Sequence, residues 1–433
     1  METEHYEGER PAPFKLERFF GKYEFNAPHL LCCSDCEPLT MRELLELADE
    51  GARQRWEGLR LSYTETTGLA PLREAIADLY GGAISPEQLL VCAPEEGVYL
   101  TMQALLKPGD RVVCAYPAYQ SLYELALSRG CTLDFWEPSW DAAAGKLRFD
   151  PSRLEELVSG GGGAGGGDSA MSDGGGAAEV GEAVKRPRLV VVNWPHNPTG
   201  ATLSRADQGR VVEACRAAGS YLFSDEMYWR SEPDESVRLP PAVTLYDKAI
   251  TLCGLSKSWC LPGLRIGWVA SQDAALLERV AALKDYTTIC SSAPSEVLAL
   301  IAVKATEHIT KRARGIVAEN TAEAAAFFGR WEHVFDWAPP DAGPIAFPRR
   351  AGSAGRAMRR RTAGVLTKAR GIDDFCQRLV DEAGVLLLPA SVYDHQPSTD
   401  RGHFRFGLGR LSNLDALRHF EAFLMRHFGG LVL

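Results

Sequence analysis

Apolar, β-branched runs recur along the first two thirds of the chain with the length of buried strands. They fall at 89–93 (LLVCA), 111–115 (RVVCA), 188–193 (RLVVVN), 220–224 (SYLFS), 248–253 (KAITLC) and 265–270 (RIGWVA). Between them the apolar positions take helical spacing, over about 97–107, 118–129 and 204–218. Continuous apolar strands alternating with helices predict an α/β fold, a mixed and mostly parallel sheet covered by helices on both faces. Past residue 290 the texture changes. A long helical stretch over about 294–329 precedes a strand–helix–strand–helix tail with apolar strands at 385–388 and 404–408. The pattern predicts a large domain over 56–292 and a smaller α+β domain over 293–433, joined by the N-terminal segment 1–55.

Two stretches break the pattern. Gly160 to Gly176 holds ten glycines in seventeen residues. Such a segment buries too little apolar surface to offset its ordering entropy, so a flexible insert is expected over 159–183. Arg349 to Arg361 carries six arginines in thirteen residues, which reads as a solvated surface loop over 349–361.

Composition narrows the function classes. Of 433 residues 45% are hydrophobic and 24% charged, as in ordinary globular proteins. Lys and Arg number 47 against 57 Asp and Glu, a net charge of −10 that disfavours a nucleic-acid partner. No apolar run has the length of a membrane span. The start, METEHYEGER, is acidic and polar, unlike a secretory signal or transit peptide. Eleven cysteines are an odd number, many of them in apolar runs. The C-x-x-C of Cys33 and Cys36 has no second ligand pair, so no metal is expected, and reduced thiols point to a cytoplasmic setting.

Three segments carry chemistry. In LCGLSKSWCLPGLRIGWV (252–269), Lys257 follows an apolar strand among Gly, Ser and Pro, flanked by Ser256 and Ser258, with Arg265 opening the next strand. A reactive amine beside an arginine and hydroxyls suits a carbonyl cofactor carrying a phosphate. In SDEMY (224–228), Asp225 lies just past a buried strand, where ligands of open α/β sheets bind. Its carboxylate can pair with a protonated pyridine nitrogen, and Tyr228 can reach the same ring. NWPHNPTG (193–200) follows another such strand and places the Asn197 amide beside that ring.

The ordered set N-P-T-G, S-D-E-x-Y and S-K-x-x-x-x-P-G-x-R-x-G resembles the class I/II aminotransferases of pyridoxal-phosphate (PLP) fold-type I. The spacings fit as well: Asn197 to Asp225 is 28, Asp225 to Lys257 is 32, and Lys257 to Arg265 is 8. The resemblance runs from about residue 30 to the C-terminus. It implies pyridoxal 5′-phosphate bound as a Schiff base on Lys257, which also shuttles the proton in transamination from an L-amino acid to a 2-oxo acid. It further implies Asp225 on the pyridine nitrogen, Asn197 and Tyr228 on the ring hydroxyl, and Arg265 with Ser256 on the phosphate. Tyr119, in YPAYQSLY, matches the aromatic stacked on the ring. Arg405, in HFRFGLGR, resembles the arginine that clamps the substrate α-carboxylate. Tyr63 matches the tyrosine that reaches the neighbouring subunit's phosphate, which implies a homodimer with shared sites.

The sequence departs from the family in three places, one of them Glu296, in DYTTICSSAPSE, where a glutamine is common. The usual Gly-Ala/Ser-Ser/Thr loop reads Ala93-Pro94-Glu95-Glu96-Gly97, leaving the N–H groups of Glu95 and Glu96 to face the phosphate. Cys36, in SDCEP, stands at the family's glycine, with Asp35 beside the substrate. Asp35, Glu95 and Glu296 therefore suggest an acidic rim that favours cationic or neutral side chains, unless they pair with Arg60 or Arg73. The N-terminal half, with FKLERFFGKYEF, is also similar to capreomycidine synthase and its relatives. That similarity makes elimination, cyclisation or oxidative deamination the alternative to transamination, with a non-catalytic regulator as the third reading.

Overall fold

The computed structural model describes residues 10–160, 185–351, 371–394 and 402–428. Most of the glycine insert, 161–184, and of the arginine-rich loop, 352–370, lies outside the described residues. Arg349 and Arg350, at the start of that loop, form a short strand against Phe335–Asp336. Arg349 is no solvated side chain. It pairs with Asp336 at 3.0 Å and lies 3.5 Å from the centre of the Trp140 ring.

A seven-stranded sheet fills the large domain in the order Leu89–Cys92, Gly267–Ser271, Ala249–Gly254, Tyr221–Asp225, Leu189–Asn193, Arg111–Ala115, Thr132–Trp136. Gly267–Ser271 runs antiparallel to both its neighbours, and the other recorded pairings are parallel. Six of the strands are buried at every position because helices cover both faces. Successive residues feed opposite cores. Val190 and Val192 pack on one face, and Leu189 and Val191 on the other. The seventh, Thr132–Trp136, is a partly exposed edge strand whose mixed sequence hides it from an apolar-run reading.

The long helical stretch breaks at Ala305 into Ala293–Lys304 and Thr306–Arg330. This break redraws the expected domain limits. Leu298 to Val303 pack with Leu44, Ala52, Leu72 and Ile76 in the large-domain core, so both 293–304 and 41–57 sit there. Residues 29–31 go the other way, whereas Cys36 packs with the large-domain core. Leu31 packs with Phe327, Phe404, Phe406 and Phe420 in the small-domain core, and His29–Leu30 pairs with Val385–Leu386. The small domain is closed by a three-stranded antiparallel sheet of Ile345–Ala346, Phe404–Gly407 and Leu388–Pro389. An N-terminal helix, Lys15–Tyr23, packs at the seam between the domains.

Candidate active site

The carboxyl ends of the parallel strands set the site's floor. Leu189–Asn193 and Tyr221–Asp225 end in register, with Asn193 opposite Asp225. Asn193 Nδ2 donates to the Asp225 carbonyl at 2.9 Å, and its Oδ1 accepts the Asn197 N–H at 2.7 Å. One side chain thus ties both motif loops together. The Asp225 carboxylate is 7% exposed and accepts the Met227 N–H at 3.0 Å. Burial pushes its pKa up to about 6, against smaller lowering effects of that hydrogen bond and of Lys257.

Ala249–Gly254 ends three residues before Lys257. Glycine is required at 254 and at 267 across from it, because a Cβ on either would sit 2.9 Å from Pro94 Cγ. Lys257 Nζ donates to Ser34 Oγ at 2.9 Å. Burial lowers its pKa, while Asp35, Cys33 and Asp225 act to raise it and Arg405 to lower it. Ser256 and Ser258 bury hydroxyls that have no hydrogen-bond partner among the described residues. The Tyr228 hydroxyl is likewise buried and unpartnered, with Ser34 its polar neighbour. Buried orphan hydroxyls cost free energy unless a ligand completes them.

Above this floor starts the helix Pro94–Leu105. Glu95 and Glu96 occupy its first turn, where backbone N–H groups lack intrahelical acceptors. The Glu95 carboxyl accepts from Ser121 Oγ at 3.2 Å, and burial raises its pKa to about 7. Arg265, exposed and in the left-handed conformation at φ 56°, acts on that carboxyl from nearby. The Glu96 carboxylate turns away to the Thr287 and Thr288 hydroxyls.

The small domain supplies the opposite wall. Arg405, 1% exposed, donates from Nε to the Cys32 carbonyl at 2.9 Å. Its Nη1 donates to Asn197 Oδ1 at 3.2 Å and to Tyr393 Oη at 2.6 Å. Nη2 has no partner among the described residues. Two glycines on the same stretch bring residues 33–36 against it. A Cβ on Gly407 would lie 2.4 Å from the Cys33 carbonyl oxygen, and one on Gly409 would lie 2.3 Å from that of Asp35.

The structure therefore brings together Lys257, Asp225, Tyr228, Asn197, Ser256 and Arg405, with Glu95, Glu96 and Arg265 at one end. Tyr119 lies at the edge, its hydroxyl donating to Glu17 at 2.9 Å and its ring 4.9 Å from Phe14. Tyr63 stands apart, 86% exposed. Cys36 is buried against Cys260 in the large-domain core. The expected acidic rim is not built as anticipated. Asp35 pairs with Arg410, which donates to both its oxygens at 2.8 and 3.0 Å, and not with Arg60 or Arg73. Glu296 is fully buried, accepts the Leu69 N–H and feels Lys284 and Glu65, none of them site residues. Ser34, Asn193, Tyr393 and the N-terminal helix escaped the sequence reading. Only the proximity of FKLERFFGKYEF to the cysteine-rich turn hinted at the last.

Known proteins resemble this chain over most of its length. The family model for aminotransferase class I and II matches residues 31–419. Capreomycidine synthase of Streptomyces vinaceus is 30% identical over 69% of this chain and 65% of its own length. Arginine–pyruvate transaminase of Pseudomonas aeruginosa is 28% identical over 80% of this chain and 77% of its own. Among solved structures, a PLP-dependent aminotransferase from Streptococcus suis superposes with a TM-score of 0.78 at 26% identity, covering 96% of this chain and 99% of that one. The PLP-dependent cyclase OrfR gives 0.76 at 25% identity, covering 98% and 99%.

Proposed function

The chain belongs to the class I and II aminotransferases, and from that premise we propose how its own residues carry out amino transfer from an L-amino acid to a 2-oxo acid. One observation carries the reading: a lysine amine, a buried carboxylate and a buried arginine converge from three separate segments, beside buried hydroxyls that lack partners among the described residues. These residues fit pyridoxal phosphate. Asp225 would face the pyridine nitrogen, Tyr228 and the Asn197 amide the ring hydroxyl, and Tyr119 the ring. Ser256, Arg265 and the first-turn N–H groups of Glu95 and Glu96 would hold the phosphate. When bound on Lys257, the cofactor supplies an electron sink for the substrate's Cα.

The chain's residues do the rest. Arg405 Nη2 takes the α-carboxylate, while Nε and Nη1 fix the guanidinium from behind. That orientation would direct the Cα–H toward Lys257 Nζ, whose basicity burial lowers, so that it can both take and return a proton. Ser34 holds Nζ in line when it is not engaged. Asp225 would stay charged when it faces a protonated ring nitrogen, because a cation beside it offsets the effect of burial.

Tyr63 would serve a second subunit. Leu61, Tyr63 and Tyr286 are each more than four-fifths exposed, on adjoining segments tied by Thr64 to Ser291. An apolar surface of this kind supports a homodimer. Eleven free thiols, ten of them buried, support a reducing setting such as the cytoplasm.

The test is a half-reaction. Purified protein with pyridoxal phosphate and an amino acid alone accumulates pyridoxamine phosphate if it transaminates. Return of the cofactor to its starting absorbance, with ammonia or a ring product released, favours the cyclase-type chemistry that similarity to capreomycidine synthase and OrfR keeps in view.

A further inference from the structure

Three metal-type donors meet on the small domain, and none of them belongs to the proposed catalytic site. His29 opens the strand His29–Leu30, fixed by pairing with Val385 and by its own N–H, which donates to the Gly384 carbonyl at 3.1 Å. Asp415 and His419 lie at i and i+4 on the last helix, Asn413–Phe428, so they share one exposed face. The opposite face anchors that helix. Ala416, Leu417, Phe420, Phe423 and Leu424 pack in one core with Leu31, and Asn413 Nδ2 donates to the Gly407 carbonyl at 2.7 Å. Two rigid backbones thus present three side chains to one point. One nitrogen or carboxylate oxygen from each residue lies within 4.8 Å of those of the other two.

Ordinary pairing does not account for the cluster. His29 Nδ1 stands 3.4 Å from Asp415 Oδ2, long for a hydrogen bond. Asp415 has no lysine or arginine partner among the described residues. The His29 and His419 rings are stacked, with centres 4.0 Å apart and planes 25° from parallel. Two imidazoles therefore lie side by side, not in a donor–acceptor contact. Burial, and after it His419, lowers the His29 pKa against the raising effect of Asp415, so this ring is neutral and keeps a lone pair for a ligand bond. Two imidazoles and a carboxylate are a known three-ligand set for zinc. Imidazole suits transition metals, whereas magnesium and calcium take oxygen donors. Tetrahedral zinc, about 2.0–2.1 Å from each donor, holds its donors about 3.3 Å apart. Rotation of the exposed Asp415 and His419 side chains can close that gap.

We propose that His29, Asp415 and His419 form a binding site for a divalent first-row transition metal, zinc foremost, with water completing the coordination on the open side. The metal fastens the last helix to the strand that leads into the turn carrying Ser34. Because it joins two elements of the folded small domain, it stabilises the folded chain over the unfolded one. Amino transfer does not depend on it.

The experiment uses the full-length holoenzyme, freed of metal by a chelator and then dialysed against zinc alone or cobalt(II) alone. One zinc ion should bind per chain, and cobalt should show the strong visible absorption of a low-coordinate site. His419→Ala and Asp415→Asn should each weaken zinc binding about tenfold or more, at least the cost of losing a group that only supports a ligand. Both positions are exposed, so the metal-free variants should melt where the metal-free wild type does. Zinc should raise the melting temperature of the wild type and not that of His419→Ala. Absence of stoichiometric zinc binding overturns the proposal. So does zinc binding of full strength in both variants, which puts the metal elsewhere on the chain. Displacement of zinc by an equal concentration of magnesium or calcium overturns it as well, since that marks an acidic surface and not an imidazole site.

Discussion

Lys257 and Ser34 stand 223 residues apart in the chain, yet the lysine amine donates to the serine hydroxyl at 2.9 Å. The contact joins the segment after the large-domain strand Ala249–Gly254 to a turn held by the small domain. It fixes the amine at the point where Asp225, Tyr228 and Arg405 converge.

Replacing Lys257 by Ala removes both the cofactor's attachment and the proton carrier. Turnover should drop by orders of magnitude, about 10²-fold or more from the lost general base alone. The bound cofactor's absorbance should revert to that of the free aldehyde. A variant with near-normal turnover would remove Lys257 from the site. Ser34→Ala should leave the cofactor bound and move the pH–rate profile, because the amine loses a neighbour that accepts from it.

Asp225 makes a pH-dependent prediction for the cofactor-free protein. Burial raises its pKa from 3.8 to about 6, so the folded state binds more protons than the unfolded one across that window. Stability therefore falls as pH rises from about 4 to about 6, by roughly 3 kcal/mol in total. Asp225→Asn should melt higher than wild type at neutral pH without cofactor, with the gap closing below about pH 4. Pyridoxal phosphate should stabilise the wild type more than the variant. Melting curves over pH, with and without cofactor, decide the matter.

The motifs around Asn197, Asp225 and Lys257 were legible because each is contiguous and follows a continuously apolar strand. Local sequence alone places them at one edge of a parallel sheet. The remainder depends on contacts between distant segments. Ser34 and Tyr393 carry no local signal, since their partners lie 223 and 196 residues away. The acidic reading of Asp35 failed for the same reason: Arg410 is its neighbour only in space. The break at Ala305 was hidden because the sequence around it keeps helical composition on both sides.

Arg405→Lys should raise KM for every amino acid by about tenfold or more, since a single ammonium cannot reproduce the planar donors that Arg405 offers to the Cys32 carbonyl, Asn197 and a carboxylate together. Amines without a carboxylate, poor substrates in any case, should be little affected. Steady-state kinetics with matched amino acid and amine pairs test the split.

Gly409→Ala should be costly although the backbone there is not left-handed. The new Cβ would approach the Asp35 carbonyl oxygen to 2.3 Å. Segment 33–36 must then lift, at about 1–3 kcal/mol of stability. Ser34 would move off Lys257, so activity should fall together with the melting temperature. Gly209→Ala, on an open helix surface where a Cβ meets nothing within 4 Å, should be neutral or slightly stabilising in the same assays.

Asn197 presents a single amide in two directions. Its oxygen accepts from both Tyr393 Oη and Arg405 Nη1, and an arginine can only donate. The oxygen must therefore face the small domain, and the NH2 group is left pointing the other way, the side on which the proposed site puts the cofactor ring. No rotation of the amide can satisfy the site with its ends exchanged. In the proposed site, arrival of a carboxylate on Arg405 would be felt at the ring hydroxyl through this one amide. With the cofactor held as proposed, that group would let the ring register whether an amino acid, rather than a simple amine, has docked.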